Sequence, residues 1–371
     1  MSHPGPAPLA HPRRERVGPH QPLLREISGH DLGEGRLEPG MPNGRPQRVL
    51  RVDVTGAPPN LLGRVLAGSY ITGHDQVIVS ARNGLSESQR RELHAAVDRI
   101  LGMTVVADTS STVEIQNFID PGKYELPRLM HRVVQMLRAE LEVCHAALTD
   151  DESPQLTVID TIEQEVDRLY LLMVRQLLLS SESARIAHDI DVESHHYQIG
   201  DRLVAKMLEL IGDLVHGIGA ELEEHLRGIR RLPLPVVHEI AARVERLERL
   251  LTRSMDAFGH LSIVEANATL NVIDETLPRD ARSWHLTCHD ITDRRVGVAA
   301  QRITFNLDMA LELLIVVNEV TINRSVEPRN EIPPALQVLV HGRKPFEAAG
   351  SSDTSIAILS ETTRKPSAFH A

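Results

Sequence analysis

The chain has 371 residues and a formal net charge of −11, so duplex DNA is a poor default partner unless a local basic patch overcomes that field. Two cysteines, Cys144 and Cys288, are too few for a disulfide framework and point to a reducing, cytoplasmic compartment. The most apolar stretch, Leu169 to Leu179, is interrupted by Arg175 and falls short of the ~18 residues a spanning helix needs, so no membrane insertion is expected.

Residues 1–45 carry scattered Pro and Gly with no hydrophobic period, and are expected to be disordered. Residues 46–121 read as a small α+β domain. Val49, Leu50, Val52 and Val54 give a first strand, Pro59 opens a short helix through Leu61, Leu62, Val65 and Leu66, and Gln76–Ser80 gives a second strand. Ser86 caps a helix with Leu93, Ala96, Val97, Ile100 and Leu101 on one face. Met103–Val106 and Thr112–Phe118 are strands joined by a polar turn.

From Leu126 the period becomes helical. A first long helix over 126–149 carries Leu129, Val133, Met136, Leu137 and Leu141. A second follows Ser153 and Pro154, placed as N-cap and first helical residue, and a third carries Leu203, Met207, Leu210, Leu214 and Ile218. Pro233 and Pro235 punctuate the chain, and another trio of helices begins near Val236. The two trios look like an internal repeat: Thr157-Val-Ile-Asp160 matches Asn271-Val-Ile-Asp274, and Met207-Leu-Glu-Leu-Ile211 matches Ala310-Leu-Glu-Leu-Leu314. The resulting organisation is mainly α: repeat 1 over 122–232, a degenerate repeat 2 over 233–328, and a flexible tail over 329–371, with Leu336–Val340 its one apolar run.

Two acidic pairs stand on these helices at i, i+4: Glu163 with Asp167, and Glu209 with Asp213. That spacing puts each pair on one helix face, and side-by-side packing would bring four carboxylates together, the oxygen-rich arrangement hard cations favour. Random placement of 51 acidic residues gives about seven such pairs, so spacing alone is weak evidence.

The surrounding residues add to it. Glu163-Gln-Glu-Val-Asp-Arg-Leu-Tyr-Leu-Leu-Met-Val-Arg-Gln-Leu177 and Met207-Leu-Glu-Leu-Ile-Gly-Asp-Leu-Val-His-Gly-Ile218 resemble two helices of archaeal PhoU-domain proteins. Gly73–Pro121 is similar to the stretch that precedes that domain, so the likeness spans about residues 60–325. The resemblance implies a pair of three-helix repeats and a metal ion cluster (iron, zinc, manganese or magnesium) on Glu163, Asp167, Glu209 and Asp213. It further implies a non-enzymatic regulator of phosphate uptake and intracellular phosphate homeostasis that docks onto a phosphate transporter or signalling protein, with a homodimer as the expected assembly. The alternative is a transcription regulator with a PhoU-like sensor domain, but the family's swapped-hairpin DNA-binding core is missing, which argues against direct DNA binding.

In repeat 2 the counterparts of Glu163, Asp167 and Asp213 are Leu277, Ala281 and Val316, and Pro278 should break the helix. One cluster is therefore expected, with Asp274, Glu275 and Asp308 left for a weaker site. His285, Cys288, His289 and Asp290 have zinc-like spacing but read better as a solvated polar face.

Overall fold

A computed structural model describes residues 24–27, 47–150, 156–192 and 194–327. The chain is mainly helical, with a small mixed sheet near its N-terminus. The tail after Glu327, including Leu336–Val340, lies outside the described residues, as do Ser153 and Pro154.

The α+β domain follows the expected order. β2 (Val49–Asp53), α1 (Leu61–Ile71), β3 (Gln76–Ser80), α2 (Glu87–Asp98), β4 (Met103–Asp108) and β5 (Thr112–Asn117) occur in sequence. β2 and β3 pair in parallel, while β5 pairs antiparallel with both β3 and β4. Alternate residues Leu50, Val52, Val77, Val79, Val113 and Ile115 are buried and form one core with Leu62, Leu66 and Tyr70 of α1 and Leu93 and Val97 of α2. Ser86 caps α2 through a full capping box with Gln89.

One expectation is corrected here. Leu24–Ile27, inside the segment expected to be disordered, forms β1, which pairs antiparallel with β2 and gives the sheet order β1-β2-β3-β5-β4. An edge strand presents unpaired N–H and C=O groups, and β1 satisfies those of β2.

Six long helices follow: α3 (Leu126–Thr149), α4 (Val158–Glu182), α6 (His195–Ile229), α7 (Leu234–Gly259), α8 (Ile263–Thr287) and α9 (Arg294–Ser325), with the short α5 (Ala184–Asp189) after α4. Helices α3, α4 and α6 pack on one another, as do α7, α8 and α9; the α6–α9 and α3–α7 seams join the two sets. The long helices share one core running from Leu126 to Val320. On α6 the notches are glycines: a Cβ at Gly219 would lie 2.6 Å from Ile159 of α4, and one at Gly217 would lie 2.7 Å from Asn306 of α9. Arg324 of α9 closes the far end of that seam, donating to Asp201 of α6 (2.7 Å) and lying over the rings of Tyr197 and Phe258. Among the described residues no helix is long and apolar enough to cross a membrane.

α4 opens at Val158, after a turn at Leu156 and Thr157 in which Ile159 N–H donates to the Leu156 carbonyl (3.0 Å). One helix differs from expectation. Pro278 does not break α8, which runs through it to Thr287. Both Pro278 and Asp274, whose carbonyl loses its helical donor, are exposed, so the interruption falls on the solvent side while Ile273 and Thr276 on the other face stay buried.

The α+β domain is fixed to the bundle by Arg175 of α4, which sequence reading treats only as an interruption. Its guanidinium and the Asp75 carboxylate are both fully buried and meet at 2.8 Å. The same fork donates to the carbonyls of Tyr70 (2.6 Å) and His74 (2.9 Å), and the cation lies over the Tyr70 ring. Next to it, Gln176 donates to the carbonyls of Pro121 and Tyr124. Gly73 completes the fit: its φ is +92° and a Cβ there would lie 2.6 Å from Leu179. Arg175→Met would leave the buried Asp75 without its cation and is expected to cost about 3–5 kcal/mol. Urea unfolding measures this, and Asp75→Asn in the same background should recover part of the loss; an unfolding midpoint unchanged by Arg175→Met would contradict it.

Candidate metal centre

The first helix set brings three of the four predicted carboxylates together. Glu163 and Asp167, one turn apart on α4, and Asp213, on α6, each offer an oxygen, and these oxygens lie within 4.8 Å of one another. Glu163 and Asp167 are half-buried and Asp213 is exposed, so the group sits where the α4–α6 seam meets the surface. Glu209 lies one turn before Asp213, but its carboxylate is bonded by the Lys206 ammonium. It is still near enough for its charge to act on both aspartates. Along the same seam His216 meets Asp160 at 2.8 Å.

Crowding shows in the protonation. Burial, reinforced by Glu163 and Glu209, pushes the Asp167 carboxyl up to about 6. Burial, then Glu209 and Asp167, also raises Asp213. Lys206 works against both shifts but does not cancel them.

A further carboxylate, unanticipated from spacing, comes from α3. Glu140 is 0% exposed, and neither of its oxygens has a hydrogen-bond partner. Burial, then the charge of Glu163, pushes it up to about 8. One turn on, burial, then Glu140, raises the Cys144 thiol, which is therefore an unreactive core group. The signal for Glu140 lies in the sequence: it falls on the apolar stripe of Val133, Leu137 and Leu141, where a lone acid requires an explanation.

This donor set is carboxylate oxygen, which suits hard cations such as Mg²⁺, Mn²⁺ or Fe²⁺ better than thiolate-seeking metals. An unpartnered buried carboxylate fits that reading, because a cation relieves both its desolvation and the mutual repulsion.

The second helix set is built differently. Arg243 of α7, 3% exposed, meets Glu239 at 2.8 Å, Asp308 at 3.5 Å and Asp280 at 3.8 Å, and Arg246 also bonds Asp280. Asp308 thus has a guanidinium beside it, at ion-pair distance but with no hydrogen bond between them, while Asp274 and Glu275 are exposed on α8. Of the positions expected to match the four acids of the first set, Ala281 and Glu312 (at the place of Glu209) are exposed, and Leu277 and Val316 are half-buried.

The His285–Asp290 segment closes α8 and the turn after it. The rings of His285 and His289 meet edge to face with centroids 5.2 Å apart, and the Cys288 thiol donates to the His285 carbonyl. Among the described residues, these side chains do not converge as the three carboxylates do. A cavity of about 410 Å³ opens between α3 and α7 beside Met130, Met255 and Phe258, with Arg324 on its wall already bonded to Asp201.

No protein-family profile, curated protein or solved structure matches the chain.

The raised carboxyls give a pH dependence of definite sign. Folded Asp167 and Glu140 keep their protons to about 6 and about 8, whereas their ordinary values are 3.8 and 4.5. The folded state therefore binds more protons across this window, so the stability of metal-free protein is greatest at the acid end and falls as pH rises towards about 8. Thermal midpoints in chelator, compared with midpoints in excess Mn²⁺, check this. The decline should flatten with the cation; a midpoint that rises with pH in chelator would refute the assignment.

Proposed function

We propose that the chain is a PhoU-type regulator of phosphate uptake and intracellular phosphate homeostasis, acting by metal-dependent docking to a phosphate transporter or signalling partner. The observation that carries this is the meeting of Glu163, Asp167 and Asp213, which lie on the two helices whose sequences resemble that family. Two sets of three mutually packed helices are compatible with the pair of repeats that the resemblance implies. In this reading Glu163, Asp167, Glu209 and Asp213 hold a metal cluster. A bound cation reverses the local charge of an otherwise acidic face and lets it receive an anion, whether phosphate or an acidic patch on a partner. The cluster is a docking or sensing face, not a catalytic centre.

The test is genetic and chemical together. Deletion of the gene should release phosphate uptake from control by external phosphate. The wild-type gene should restore control, and Asp167→Ala with Asp213→Ala should not, while the purified double mutant keeps its helix content and loses its metal. Phosphate uptake indifferent to the deletion would end the proposal. Nanomolar, sequence-dependent DNA binding would favour the transcription regulator with a similar sensor domain.

A further inference from the structure

Glu140 is not part of either i, i+4 pair, yet it is the most deeply placed acid of the first helix set. It stands on α3, the one helix of that set that the sequence motifs leave without a role at the site. Its side chain is fully buried and both oxygens are without hydrogen-bond partners. As a carboxylate it is a desolvated charge; as a neutral acid it is an O–H donor that no acceptor meets. Such a group in a native core calls for an explanation, and a bound ion is one that also answers to the carboxylates on the adjoining helices. Its neighbour in charge is Glu163, which also reaches Asp167 and Asp213. Glu163 converges with the outer aspartates, and α3, which carries Glu140, packs against both α4 and α6.

We propose that Glu140 is an inner cation ligand, and that Glu163 bridges a cation held by Glu140 to one held at the outer aspartates. This deepens the metal-site reading above and rests on it. The charges agree: once ionised as cation ligands, Glu140, Glu163, Asp167, Glu209 and Asp213 bring five negative charges, with the positive charge of Lys206 bonded to Glu209. One divalent cation leaves the seam negative, whereas about two neutralise it, in the manner of carboxylate-bridged sites in bundle cores. The chemical class is a pair of hard divalent cations, and α3 becomes a third wall of the site.

The experiment uses full-length, chelator-stripped protein titrated calorimetrically with Mn²⁺, with bound metal counted independently by elemental analysis. Wild type should take up about two equivalents. Glu140→Gln, a neutral isostere that keeps the packing, should lose one equivalent or bind at least about tenfold more weakly. Glu140→Leu should bind as poorly, and in its metal-free form should melt higher than wild type, because it removes a desolvated acid. A purely structural Glu140 would give the opposite pattern, with normal binding in Glu140→Gln and a lowered melting point in Glu140→Leu. Normal stoichiometry and affinity in Glu140→Gln, alongside loss of binding in Asp167→Ala with Asp213→Ala, would overturn the inner ligand and leave the outer site standing. No Mn²⁺ uptake by wild type would remove both.

Discussion

Arg175 and Asp75 set the frame on which the rest of the molecule is hung. A guanidinium and a carboxylate, both without solvent access, tolerate each other only in a fixed geometry, and here the guanidinium also donates to the carbonyls of Tyr70, in α1, and His74, just after it. That geometry fixes the rotation of α4 about its own axis. Asp167 lies eight residues earlier on the same helix, about 12 Å along its axis, so the lock to the α+β domain also determines which way the outer carboxylates face. The small domain is thus part of the mechanical support of the α4–α6 seam.

Much of the architecture was readable because its signals are local. Alternation in Val49–Asp53 and Gln76–Ser80, the capping box at Ser86, and the helical period from Leu126 onward each lie within a few residues of sequence. The pairing of Glu163 with Asp167 was equally local; its meeting with Asp213 needed only that α4 and α6 pack side by side. The side chains that reading missed share one property. Arg175, Glu140 and Arg243 are single charges inside apolar helix faces, where the helical period does not say what they meet; Asp75 is a hundred residues from Arg175, and Arg243 adds the distant Asp280 and Asp308 to its local Glu239. Pro278 and β1 were misread for a related reason: an exposed position and a waiting strand edge override local preference.

The two helix sets solve the same electrostatic problem differently. Both gather acids at a helix seam. The first leaves its inner acid unpartnered and its outer acids crowded, while the second places Arg243 among Glu239, Asp280 and Asp308. Leu277, Ala281 and Val316, at the positions expected to match acids, are then only part of the difference between the sets, since Glu239, Asp280 and Asp308 of the second meet a counter-charge supplied by the chain itself.

A guanidinium keeps its charge at every pH a cell reaches and, unlike a bound ion, cannot be chelated, diluted or exchanged. The helices around Arg243 are therefore held in the same way whatever the ionic composition around them. Through the long α6–α9 seam they give the other three helices a reference whose own charges need no ion from outside.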